Sequence, residues 1–149
     1  MHAHVVKTGL FGPTLRVAPL QNGDTATVAA LFPCLGPSEL AHLASEDSRH
    51  HAVVAWVDGE RTPAGFARLV RDGDGAEIVF AVSDRHRGKR VATTLARELL
   101  DDARAAGIAF VTATIDGSNR AALALLRRSA RITSVRPEGG ALTVRASLY

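Results

Sequence analysis

One boundary constrains this chain more than any other. The run "AEIVFAVS", residues 76–83, passes through "DRHRGKR" into "VATTLARELLDDARAAG", residues 91–107. The first segment is β-rich, with Ile78, Val79, Phe80 and Val82. The second changes period. Val91, Leu95, Leu99 and Ala103 recur every four residues and form one helical face, while Arg97, Glu98, Asp101 and Arg104 fall on the others. Gly107 is placed to end the helix. A strand that becomes a helix within eight residues makes a strand–loop–helix unit, and the loop holds Arg85, His86, Arg87, Lys89 and Arg90.

That position gives the loop its meaning. The first N–H groups of a helix lack intrahelical acceptors, and the helix dipole adds partial positive charge there. A phosphate suits such an end. Gly88 allows close backbone approach, Ala92 leaves the first turn uncrowded, and Thr93 and Thr94 add hydroxyl donors. From the residues alone three readings stand: a solvated basic turn, a nucleic-acid patch, or a cradle for a compact anion. Charge bears on the choice. The chain carries 18 Lys+Arg against 15 Asp+Glu. Without Arg85, Arg87, Lys89 and Arg90 the balance is 14 against 15, a net −1. The net basicity sits in one loop, whereas nucleic-acid binders spread cations along a face or helix. The loop has neither a Walker pattern nor GxGxxG, so neither an ATP nor a dinucleotide site is indicated.

The flanks supply the rest of a sheet. "TLRVAP" reads as a short strand. Asp24 or Thr25 caps a helix over "TATVAALF" that Pro33 stops, and Pro37 opens a second short helix. "HHAVVAWV", "AGFARLVR" and "AEIVFAVS" are strands joined by the turns "DGERTP" and "DGDG", which predicts an antiparallel meander. After the long helix come the strand "IAFVTATI", the turn "DGSNR", the helix "AALALLRRSA" and a terminal hairpin. This order predicts an α+β sheet with at least one parallel pair. The 149 residues favour a single domain spanning 1–149. No apolar run approaches the ~20 residues of a membrane span, the N-terminus does not read as a secretory signal, and one cysteine, Cys34, suits a reducing cytoplasm.

Residues 76–131 resemble the acyl-CoA-binding half of GNAT N-acetyltransferases. In that family a strand leads into Gln/Arg-x-x-Gly-x-Gly/Ala, whose backbone amides hold the pyrophosphate of coenzyme A. Arg87-Gly88-Lys89-Arg90-Val91-Ala92 fills those six places. Arg87 and Ala92 match, while Arg90 stands where the first glycine is usual. Asn119 falls where the family often has an Asn beside the pantetheine. The resemblance implies a GNAT-like three-layer fold, a mixed and mostly antiparallel sheet flanked by helices. It implies a splay of that sheet near Phe80, Ala81 and Val82, with backbone groups there pairing with pantetheine. Thr93 adds a hydroxyl to the phosphate site, and Glu77 is the candidate general base. Acetyl-CoA is the expected co-substrate and a primary amine the acceptor, with no metal, nucleic acid or membrane; a homodimer is left open.

Three family features are replaced here. Leu126 occupies the place of the tyrosine acid, Ala130-Arg131 that of the usual Gly-Phe, and Arg90 that of glycine. A cofactor-binding module without turnover is therefore a second reading. Other residues read blandly: Cys34 and Trp56 as structural, His2 and His4 as part of a terminal segment, and His50-His51 as a pair without metal-ligand spacing. Arg127-Arg128 reads as a solvated helix end that is also within reach of a phosphate.

Overall fold

The computed structural model describes residues 4–7, 14–45, 47, 49–86, 90–117 and 120–149. Its eight strands are β1 (His4–Lys7), β2 (Thr14–Pro19), β3 (His50–Val57), β4 (Gly65–Asp72), β5 (Gly75–Val82), β6 (Phe110–Asp116), β7 (Arg131–Glu138) and β8 (Ala141–Ser147). The helices are α1 (Thr25–Leu31), α2 (Pro37–Leu43), α3 (Val91–Ala105) and α4 (Arg120–Ser129), with a single 3-10 turn at Asp84–His86. The strands form one sheet in the order β1-β2-β3-β4-β5-β6-β8-β7. The β5–β6 pair is parallel and the others are antiparallel. The meander and the parallel pair agree with the sequence reading. The opening residues carry no strand signal, yet His4–Lys7 pairs with β2 as an edge strand.

Local chemistry sets the helix ends. The Asp24 carboxylate accepts the Thr27 N–H at 3.1 Å and the Thr27 hydroxyl at 2.7 Å, so Asp24 is the cap of α1. Pro37 begins α2, where its missing N–H costs nothing. Gly107, at φ +78°, follows α3 and donates its N–H to the Arg104 carbonyl.

Strand alternation divides the core in two. On one face Val53, Ala67, Leu69, Ile78, Val111 and Val144 pack against Val91, Leu95, Leu99 and Ala103 of α3 and Leu126 of α4. On the other, Ala52, Val54 and Phe66 pack against Val28 of α1 and Ala44 just after α2. The smaller cluster takes in Trp56 at its edge, with the Arg16 guanidinium 4.9 Å from its ring. Cys34 departs from the structural reading, because it is exposed.

One glycine brings α3 close to the sheet. A Cβ on Gly65 would stand 2.7 Å from Val91 Cγ1 and 2.8 Å from Leu95 Cδ1. Its absence lets the first turns of α3 lie directly on β4.

Candidate active site

Two edges of β5 are treated differently. Toward β4, pairing runs the full strand, from Gly65↔Val82 to Asp72↔Gly75. Toward β6, it runs only from Gly75↔Phe110 to Ile78↔Ala113. Beyond Ile78 the two strands part. The gap opens into a cavity of about 590 Å³, lined by Phe80, Ala81 and Val82 of β5 and by Arg90, Val91, Ala92 and Thr93 at the start of α3. Its far wall is Ala113 and Ile115 of β6 with residues of α4, Leu125 and Leu126 among them.

Seven of the residues expected to bind the cofactor, Phe80, Ala81, Val82, Arg90, Val91, Ala92 and Thr93, thus line one cavity. Arg87, Gly88, Lys89 and Asn119 lie outside the described residues. The wall from α4 escaped sequence reading, because Ala121, Ala122 and Leu125 look like any amphipathic helix. Arg128 of the solvated Arg127-Arg128 pair also lines the cavity.

Arg90 caps α3 with φ 60° and ψ 20°, the one non-glycine residue with positive φ among those described. The backbone keeps the left-handed conformation that a glycine adopts freely, and the arginine bears a steric cost of about 1–2 kcal/mol for it. Thr93 lines the cavity, but Thr94 does not serve there. Its hydroxyl donates to the Arg90 carbonyl at 2.9 Å and its side chain is buried. The expected second hydroxyl donor is thus used inside the helix.

His86 stands among the loop cations in sequence, but it is fully buried. Its Nε2 lies 3.0 Å from Glu60 Oε1, an oxygen that Arg85 also approaches at 3.4 Å. Nε2–H donates to that carboxylate, and the buried Nδ1 has no hydrogen-bond partner among the described residues. The ring ties the loop after β5 to the β3–β4 turn, beside the cavity. Its neighbours in sequence, Arg85 and Arg90, are exposed.

Glu77 sits on the other side of the sheet. Ala76 and Ile78 point to the α3 face, so Glu77 and Val79 point away from it, and both are exposed. Glu77 pairs in register with Thr112 of β6 and Val70 of β4. It stands on the last paired stretch before the gap, two residues short of the first unpaired position. An extended strand advances roughly 7 Å over those two residues.

The histidine pair lies elsewhere, at the opposite end of β3. His50 Nδ1 meets Asp47 at 2.8 Å and His51 Nε2 meets Asp102 at 2.9 Å. Among the described residues no group of three or more His, Cys, Asp or Glu is arranged to hold a metal. None of the described helices is long and apolar enough to cross a membrane.

Comparison with known proteins gives this geometry a context. The fold is shared with the GNAT domain of S. lividans PAT, at TM-score 0.80 and 19% identity, covering 97% of this chain and 96% of that one. It is shared with the ribosomal-protein-S18-alanine N-acetyltransferase from Escherichia coli, at TM-score 0.72 and 19% identity, over 90% and 94% of the two chains. The PaiA N-acetyltransferase from Thermoplasma acidophilum, solved in complex with coenzyme A, matches at TM-score 0.70 and 12% identity, over 89% and 98%. No curated protein matches in sequence. The model of the acetyltransferase (GNAT) family matches residues 23–130, most of the chain and all of the cavity wall. The chain belongs to the GNAT acetyltransferase family.

Proposed function

We propose that residues 1–149 act as one domain that transfers an acetyl group from acetyl-CoA to a primary amine, on a small molecule or on a protein lysine or N-terminus. The observation that carries this reading is the end of β5–β6 pairing at Ile78 and Ala113, with a cavity of about 590 Å³ beyond it. The cavity suits a long, thin co-substrate. Its apolar walls match pantetheine, and the unpaired edge of Val79–Val82 offers backbone groups for strand-like pairing. Its mouth adjoins the N-terminus of α3, where the amides after Arg90 suit a pyrophosphate. Arg90 and Arg128 add positive charge nearby. Arg87, Gly88, Lys89, Thr93 and Asn119 complete the assignment.

The chemistry follows from the two faces. Acetyl-CoA enters from the α3 face, and the amine approaches from the face bearing Glu77. The amine nitrogen attacks the thioester carbonyl carbon. Glu77 takes the amine proton, through one water given the ~7 Å offset along the strand. The C–S bond then breaks and the thiolate leaves. Leu126 is buried on the cavity wall where the family has a tyrosine, so the thiolate takes its proton from solvent.

That leucine favours the second reading, a GNAT-fold module that binds acyl-CoA without turnover. One assay separates the two. Thiol release is followed with acetyl-CoA and a broad panel of amines. Release well above the hydrolysis background supports transfer. Binding of acetyl-CoA with background release across the panel supports the inert module.

A further inference from the structure

The sheet face opposite α3 and α4 is covered only in part. Helices α1 and α2 pack over β3 and β4. Over β5, β6, β8 and β7 no described element lies on that face. Register places one continuous row across it: Glu77 opposite Thr112, Thr112 opposite Arg145, and Arg145 opposite Ser134. Arg131, opposite Ser147, and Arg136, opposite Thr143, lie on the same face to either side of the row. All three arginines are exposed, and none forms an ion pair with a described residue. Arg145 is held over the floor by Phe110, with its guanidinium 3.7 Å from the ring centroid. The acidic residues at register positions on this face of the four strands are Glu77 and, at the hairpin-tip edge, Asp116 and Glu138.

A carboxylate at the inner margin and three free guanidiniums beyond it make a surface with a direction. We infer that the acceptor is an acidic peptide: its amine is delivered to Glu77 while carboxylates further along the chain pair with Arg145, Arg136 and Arg131. This deepens the acetyltransferase reading and rests on it for the role of Glu77. Spacing makes it specific. Two strand separations put the Glu77 and Arg145 backbones about 10 Å apart, which an extended peptide spans in roughly three residues. Acidic side chains two to four residues from the acceptor amine are therefore the ones that count. The charge is complementary, and the steering it gives is screened by salt.

The test uses the full chain saturated with coenzyme A and two labelled peptides of equal length with the same acceptor amine. One carries Glu and the other Lys at the second to fourth positions. Fluorescence anisotropy reads binding directly, so turnover is not required. The acidic peptide is expected to bind at least about tenfold more tightly at low salt, as several screened surface pairs allow. Arg145→Glu and, separately, Arg136→Glu are each expected to remove most of that preference, with acetyl-CoA affinity within twofold of wild type. Arg136 has no packing role comparable to the stacking of Arg145, so its variant answers any folding objection. Equal binding of the two peptides, or a preference unchanged in both variants, overturns the inference. A free amino acid that competes as well as the acidic peptide also overturns it, in favour of a small carboxylate acceptor. Acidic preference without acetyl transfer removes the catalytic reading but keeps the surface. Transfer without preference does the reverse.

Discussion

The two edges of β5 carry the same alternating side chains and end in opposite outcomes. Toward β4 the strand is sealed over eight residues, and toward β6 it is open after four. Phe80 and Val82 continue the apolar alternation of Ala76 and Ile78 without a break, yet the first pair lines a cavity and the second fills a core. Side-chain pattern decides which face a residue takes. Where backbone hydrogen bonding stops decides whether there is a cavity. On the sealed edge Gly65 lets α3 press against β4; on the open edge α4 stands off and leaves room.

The largest expected effect lies on the open edge. Glu77→Gln should lower kcat by about 100- to 10,000-fold, the usual worth of a positioned base. It should leave acetyl-CoA affinity and Tm unchanged, because Glu77 is exposed. An unchanged kcat under saturating substrates would remove Glu77 from its role. On the sealed edge the effect should be structural instead. Gly65→Ala puts a methyl against Val91 and Leu95 and should cost about 2 kcal/mol. For a chain of this size that is a fall in Tm of roughly 4–8 °C. A Tm within a degree of wild type would mean that the contact between α3 and β4 is not tight.

A smaller effect, of opposite sign, is expected at the junction of the two edges. Arg90→Gly relieves the left-handed strain at the α3 cap and should gain about 1 kcal/mol, since part of the relief is offset by unfolded-chain entropy. Thermal melts would show the rise, and a fall would show that the arginine side chain contributes more than its backbone costs. The smallest effect is a control far from both edges. The His50 ring N–H and the Arg49 and His50 backbone N–H groups hold the Asp47 carboxyl below its ordinary value of 3.8. A carboxyl depressed in the folded state stabilises above its unfolded pKa, and that stability is lost as pH falls through the folded value. Asp47→Asn should therefore flatten the acid side of the stability profile slightly. An acid limb unchanged by the substitution would show that the pair contributes nothing.

Much of the fold was legible because its signals are local. The period of α3, the Asp24 cap, Pro37 at the start of α2 and the Gly107 terminus are each written in a few adjacent residues. The loop's place between a strand and a helix was legible as well. Non-local features were not. Nothing in "HVVK" shows that it adds an edge strand, and nothing in the terminal hairpin shows that β8 inserts beside β6. The partial pairing of β5 has no signature in "AEIVFAVS". Thr94 misled, and the burial of His86 went unread, for a related reason: a polar side chain in a polar run gives no sign that the fold will bury it. Arg145 and Glu77 are 68 positions apart in sequence, and only strand register puts them on one face.

In the proposed reading the gap between β5 and β6 receives acetyl-CoA. Calorimetric titration of acetyl-CoA into the wild-type chain and into Ala121→Trp tests it most directly. Ala121 is exposed on α4 and lines the cavity, so the bulky ring fills the gap without entering the core. One site per wild-type chain is expected, with a rise in Tm on binding, and at least tenfold weaker binding in the variant at unchanged ligand-free Tm. No heat and no Tm shift in the wild type, or equal affinity in the two proteins, would contradict it.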